Sequence, residues 1–284
     1  MGSPVNYARA AAAIRATMDD GGALVIAAGA GMGVDSGLPD FRGPEGFWKA
    51  YPPYRQLNLH FDDLANPAWF ARDPALAWGF YGHRLGLYRS TQPHAGFAIL
   101  QRWARAMPAG SFVFTSNVDG QFQRAGFAEE RVEEIHGSIH HLQCVRAGCG
   151  GIWSADHTVV DVDDATGRAR DPLPQCVACG AMARPNVLMF GDGTWDDTRT
   201  AAQHQRFRAW LREVGDRPLV VVECGAGTAI PSVRMFSESL QRSQQAALIR
   251  INPHEEKGPP GTIGLRESAG RALQKIDAMI GLGI

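Results

Sequence analysis

No apolar run in this chain is long enough to cross a membrane, so a spanning helix is not among its readings. Charge of one sign is also missing: 28 basic residues stand against 29 acidic ones. Without a net positive field there is no electrostatic case for nucleic acid or an anionic membrane as partner. The first residues lack a charged stretch leading into an apolar one, so no secretory signal is evident. Met1-Gly2-Ser3 opens like a myristoylation site, but Asn6 stands where Ser or Thr is required. Together these absences predict a cytoplasmic protein. What is present is a hydrophobic content of 45% over 284 residues, enough for one large domain with a smaller insertion.

The chain is organised around Ala23–Gly43. Six apolar residues, Ala23–Ala28, read as a short strand buried on both faces. Gly29, Gly31 and Gly33 follow, where side chains would hold a ligand's phosphates off the backbone N–H groups. The standard dinucleotide fingerprint is not met, because Val34 occupies its last glycine and Pro39-Asp40-Phe41-Arg42 arrives almost at once. By itself the turn reads equally as a tight strand–helix connection.

Before it, Val5–Asp19 predicts an Ala-rich helix ending at Gly21-Gly22. After it, GPEGFWKAYPPYRQ reads as a surface loop or as a lid over a ligand. Its Phe47, Trp48, Tyr51 and Tyr54 favour the lid. Helices are predicted between Asn66 and Arg89, with starts at Asn66-Pro67 and Asp73-Pro74, and again over Gln92–Ala106. A second buried strand, Ser111–Thr115, runs into Ser116-Asn117-Val118-Asp119. Polar residues at the carboxyl end of a core strand are where open α/β sheets contact ligands, although an Asx-turn would use the same residues. Arg131–Ile135 reads as a short strand ending in His136-Gly137-Ser138. His136 follows a strand end, where a near-neutral imidazole suits a general base; a structural histidine is the alternative, and His140 and His141 are read as scaffold or surface.

Cys144-x4-Cys149 and Cys176-x2-Cys179 form two close pairs, each followed by glycine. Four thiolates so spaced suit a closed, tetrahedral structural zinc site, with two disulfides as the alternative. The polar segment between the pairs would depend on metal for its stability. Cys224 ends an apolar strand and is read as buried and inert. Asn186–Phe190, Leu219–Cys224 and Ala247–Ile251 are three more apolar strands separated by helical stretches, the pattern of a doubly wound parallel α/β sheet.

GAG followed by PDFR, then N-x-D, HG, four cysteines, F-G-D and I-N, in that order, resembles the sirtuins, NAD-dependent protein deacylases, over about residues 20–280. The resemblance implies a Rossmann-like NAD-binding domain built from 1–42, 93–140 and 186–284. A cofactor loop and helical module (43–92) and a zinc module (141–185) would be inserted into it. It also implies a reaction: NAD loses nicotinamide, the acyl oxygen of a modified lysine attacks the ribose, and free lysine and O-acyl-ADP-ribose result. His136 would be the base, with Asn117 and Asp119 organising the nicotinamide pocket. NAD would contact Gly29, Ala30, Gly31, Asp40, Phe41, Arg42, Ser116, Gly225, Ala226, Gly227, Asn252 and Leu265. Met189, Phe190 and Gly191 would pair with an extended substrate peptide. Ser116 replaces the family's Gln, Asp192 its Glu, and Ala226 and Gly227 replace two hydroxyl residues. Tyr81 and Arg84 lie three apart on one helix face, as in the class III sirtuins, where such a pair grips succinyl- or malonyl-lysine. An enzyme that only cleaves NAD or transfers ADP-ribose, and a non-catalytic NAD sensor, are the rival readings.

Overall fold

The computed structural model describes residues 3–39 and 43–281; Asp40, Phe41 and Arg42 lie outside the described residues. Helix α1 (Pro4–Asp19) starts at a proline and leads through a glycine turn into strand β1 (Ala23–Ala28). Short helices α2 (Gly31–Val34), α3 (Gly43–Ala50), α4 (Pro52–Gln56), α5 (Phe61–Leu64) and α6 (Trp69–Arg72) follow. Two longer helices, α7 (Pro74–Ser90) and α8 (Ala95–Ala106), precede β2 (Ser111–Thr115). Beyond α9 (Gln121–Arg124) come β3 (Val132–Glu134), β4 (Gly137–Cys144), β5 (Ile152–Ser154), β6 (Val162–Asp163), β7 (Arg168–Ala169) and β8 (Ala183–Val187). The chain closes with α10 (Thr198–Val214), β9 (Leu219–Cys224), α11 (Ser232–Ser243), β10 (Ala247–Ile251), β11 (Ile263–Leu265) and α12 (Ala269–Ile280).

The main sheet has six strands in the order β11-β10-β9-β1-β2-β3, all parallel. All six residues of β1 are fully buried, because its alternate side chains enter two different cores. Leu24, Ile26 and Ala28 face a core closed by α1, α8 and α12; Ala23, Val25 and Ala27 face one closed by α10 and α11. With both faces covered, only the strand ends are open to a ligand. The order changes direction at β1, since β2 lies on one side and β9 on the other; such a switch point opens a crevice at the carboxyl ends of the strands.

Two expectations are corrected. The run Asn186–Phe190 is not a strand of the parallel sheet. Its first two residues end β8, which pairs antiparallel with β4 in a separate three-stranded sheet, and the sixth parallel strand is β11. An apolar run signals burial but not the sheet that receives it. The aromatic stretch after residue 42 is neither a loop nor an open lid. It forms α3 and α4, and Phe47, Tyr51 and Tyr54 are at most 4% exposed. Their rings pack on Phe80 of α7 with centroids 5.5–6.1 Å apart. This third core is shared: aromatics of α3–α7 meet Leu142, Ala155, Ala169 and Ala183 from the cysteine-bearing segment. Trp78 Nε1 donates to the Ala183 carbonyl (3.0 Å) and the Tyr54 hydroxyl to the Gly167 carbonyl (2.8 Å), so the two insertions close over one another.

One ion-pair cluster lies inside the parallel sheet. Arg250 on β10 and Glu223 on β9 are both fully buried. Arg250 donates Nε and Nη2 to the two Glu223 oxygens (2.5 and 2.9 Å), Nη2 also to Glu238 (3.0 Å), and Nη1 to the Lys257 carbonyl (2.9 Å). Removing the cation would leave Glu223 charged in a closed core. Arg250→Met is therefore expected to cost about 3–5 kcal/mol in urea-unfolding stability; a loss below about 1 kcal/mol would contradict the role given to this pair.

Candidate active site and metal centre

The turn after β1 and the turn after β9 press against each other at the switch point. A Cβ on Gly29 would sit 2.8 Å from Ala226 Cα, and one on Gly31 would sit 2.7 Å from Gly225 Cα. Either is closer than real Cβ contacts allow, so the glycines are required first by contact between the turns. Gly31 N–H donates to the Gly225 carbonyl (3.0 Å) and locks the two together. The result is a crevice floored by bare backbone of Gly29, Ala30, Gly31, Gly225, Ala226 and Gly227. That chemistry fits the diphosphate of a dinucleotide.

The end of β2 supplies the next wall. Thr115 Oγ1 donates to the Ala28 carbonyl (3.0 Å) and accepts from the Asn117 N–H (3.0 Å), while Asn117 Nδ2 reaches the Gly29 carbonyl (3.1 Å). Asn117 is thereby fixed against the glycine turn. Ser116 is held through its own N–H, which donates to Ala28 (3.1 Å). Asp119 is 8% exposed and accepts from the Gln121 N–H (2.9 Å). Burial, opposed by that hydrogen bond, raises its carboxyl from 3.8 to about 6. His140 is scaffold here: its Nε2 meets the Asp119 carbonyl at 2.9 Å, beside the left-handed Gly120 (φ 68°).

His136 follows β3 and is half-buried. Burial lowers its pKa below the ordinary 6.5, partly offset by a hydrogen bond to the Ser116 backbone. Gly137 next to it has φ 74°, and a Cβ there would lie 2.1 Å from the Asn186 carbonyl, so only glycine lets β4 turn away after His136. The His136 carbonyl accepts from the Leu188 N–H (2.9 Å), tying it to the segment after β8.

Met189, Phe190 and Gly191 lie on that segment, with Met189 buried and Phe190 45% exposed. The Phe190 N–H is already bonded to the Ala65 carbonyl (2.8 Å). Sequence reading overlooked Arg184, which is 1% exposed and pairs with the buried Asp192 carboxylate. Asp192 also accepts from the N–H groups of Met189 (3.3 Å) and Thr194 (3.1 Å), so this ion pair shapes the turn. The eight-residue separation carries no periodic signal that could have revealed it.

Asn252 and Leu265 are fully buried. Asn252 Nδ2 donates to Ala226 (2.9 Å) and its Oδ1 accepts from the N–H groups of His254 (2.9 Å) and Glu255 (3.0 Å). Its carboxamide braces the β9 and β10 turns. The Leu265 side chain belongs to the core and its carbonyl accepts from the Asn252 N–H (3.1 Å). Tyr81 and Arg84 are both buried on α7, with the guanidinium carbon 5.6 Å from the Tyr81 ring centroid.

The four cysteines converge as their spacing predicts. Their sulfurs lie within 4.8 Å of one another and none is in a disulfide. Cys144 and Cys179 Sγ are 3.7 Å apart; a tetrahedron with Zn–S bonds near 2.3 Å has edges of about 3.8 Å. Four sulfurs with no fifth donor fit a closed structural zinc site. Cys224 stands apart, fully buried, its thiol pushed up chiefly by burial.

A family model described as Sir2 family matches residues 29–211. The chain is similar to NAD-dependent protein deacylase 2 of Pyrobaculum aerophilum, 33% identical over 254 residues, covering 89% of this chain and 88% of that protein. It is similar also to the mitochondrial NAD-dependent protein deacylase sirtuin-5 of Danio rerio, 36% identical over 199 residues, 64% of this chain and 61% of that one. Among solved structures, a Sir2 homolog in complex with NAD matches with a TM-score of 0.65 at 26% identity, over 91% of this chain and 89% of the other.

Two outcomes follow from the site's chemistry. Elemental analysis should find one zinc per chain, and chelation or Cys176→Ala should lower the melting temperature sharply; a metal-free protein melting unchanged would refute the metal centre. Because the raised pKa of Asp119 disfavours its charged form in the fold, its cost is absent below about pH 3.8 and complete above about 6. Asp119→Asn should therefore stabilise the protein by up to about 3 kcal/mol at pH 8 and by almost nothing at pH 3.5. Denaturant titrations at the two pH values check this, and an equal effect at both would refute it.

Proposed function

The chain belongs to the Sir2 family, and from that premise we propose that it is an NAD-dependent protein-lysine deacylase acting preferentially on acidic acyl groups. The observation that carries the reading is the convergence of the bare-backbone crevice with Asn117 and Asp119 after β2 and His136 after β3. When bound, NAD supplies an electrophilic ribose carbon and nicotinamide as leaving group. The backbone of Gly29–Gly31 and Gly225–Gly227 would hold the diphosphate, and Asn117 and Asp119 the nicotinamide end. His136 would take the proton from a ribose hydroxyl, the step that commits the acyl group to transfer. Its lowered pKa keeps the imidazole neutral at physiological pH, ready to accept.

The acyl preference rests on Tyr81 and Arg84. A buried guanidinium beside a phenol can bind a carboxylate with charge-assisted hydrogen bonds worth about 1.5–3 kcal/mol. That amounts to about a ten- to hundredfold preference for succinyl- or malonyl-lysine over acetyl-lysine. The protein substrate would lie along Met189, Phe190 and Gly191. The apolar Phe190 surface, edge-on to Phe61 with centroids 6.3 Å apart, gives the peptide a face to pack on.

Nicotinamide release should be measured with NAD alone and with succinyl-, acetyl- and longer-chain acyl-lysine versions of one peptide. Release should need the peptide and be fastest with succinyl. His136→Ala should lower turnover by about 10²–10⁴-fold while NAD still binds. Peptide-independent release would identify a glycohydrolase, binding without release a sensor, and faster turnover of acetyl-lysine would remove the acidic preference.

A further inference from the structure

Helix α7 sets Tyr81, Arg84 and Tyr88 at i, i+3 and i+7, so all three stand on one face, and each is at most 5% exposed. The Arg84 guanidinium carbon lies 5.1–5.6 Å from the ring centroids of Phe61, Phe80, Tyr81 and Tyr88. Within this aromatic cage its polar edge is directed: Nε and Nη2 both donate to the Tyr88 hydroxyl, at 3.0 and 2.9 Å. These two N–H groups form one of the parallel forks with which a guanidinium takes a carboxylate. A phenol oxygen that accepts twice has filled its lone pairs, so its own proton serves only as a donor to a third group. The Tyr81 hydroxyl, fully buried, has no hydrogen-bond partner among the described residues. Burial raises both phenols, Tyr81 to about 12, so both carry their protons at neutral pH.

We propose that Tyr88 is the residue that sets acyl specificity through Arg84: it holds one fork of the guanidinium in a fixed plane and directs the cation at the far end of the acyl chain. The preferred substrate class is then an acyl-lysine whose chain ends in hydrogen-bond acceptors. This rests on the acyl-pocket reading of Tyr81 and Arg84 given above. Tyr88 is a positioning residue, since it touches Arg84 and not the reacting atoms. Nothing in the residue spacing singled it out, because a tyrosine at i+7 on an apolar helix face reads as core.

The test is a double-mutant cycle with Tyr88→Phe and Arg84→Met, measuring kcat/KM for succinyl- and acetyl-lysine versions of one peptide. The ratio of the two substrates on one preparation cancels any difference in folded fraction. Tyr88→Phe should lower the succinyl-to-acetyl ratio about tenfold, through the KM of the succinyl peptide, the worth of roughly one hydrogen bond to a charged group. The double variant should show the ratio of Arg84→Met alone, because Tyr88 acts only through that cation. A Tyr88→Phe ratio equal to wild type, or effects of the two substitutions that multiply independently, would overturn the proposal while leaving the acyl preference standing. A wild-type ratio below one would instead overturn the acyl preference, and the role of Tyr88 with it.

Discussion

Everything in this molecule depends on β1 being buried on both faces at the centre of a parallel sheet. Its six residues divide between two cores, and neighbours pair with it on both edges, so no side chain of the strand is left for chemistry. Function is displaced to the carboxyl end, where the β1 and β9 turns meet too tightly for a Cβ at Gly29, Gly31 or Gly225. That contact has two consequences. It makes glycine obligatory at the contact on packing grounds alone, and it spends the Gly31 N–H on the Gly225 carbonyl, while the Gly29 and Gly225 N–H groups bond the Cys224 and Ile251 carbonyls.

The second constraint is the shared core of the two insertions. Aromatics from α3–α7 and apolar residues from the cysteine-bearing segment fill one volume, pinned by Trp78 and Tyr54 through hydrogen bonds to backbone carbonyls. Metal and aromatic packing therefore stabilise the same unit. The strand β8 that leaves this unit reaches His136 directly, through the Leu188 N–H. His136 thus stands at the junction of two sheets, after β3 of the parallel one and before β4 of the antiparallel one.

The site works against stability where function needs it. Asp119 is held near pH 6 by burial, and His136 is kept neutral by the same desolvation. A carboxylate in a closed pocket costs folding free energy at physiological pH. Arg84 solves the opposite problem. Its charge is taken out of water into a cage of four aromatic rings and a phenol, which replace part of its hydration.

Much of this was legible in the residues alone. Apolar runs mark β1, β2, β9 and β10, because a strand covered on both faces is largely apolar, with Glu223 and Arg250 tolerated only as a buried pair. Two close cysteine pairs define a metal site by ligand chemistry, wherever the chain runs between them. What only the tertiary structure decided is how local segments are shared. Asn186–Phe190 is as apolar as a core strand, but only Asn186 and Val187 pair, and with β4, because the pairing partner is chosen by register and chain path rather than by composition. The aromatics at 47–54 read as a lid in sequence and are core in space, since only the folded chain brings Leu142, Ala155 and Ala183 against them. Asn252 sits where an NAD contact was expected, and its carboxamide bonds the backbone of two turns. Residue type fixes which hydrogen bonds a group can make, and only the assembled neighbourhood fixes which of them it does make.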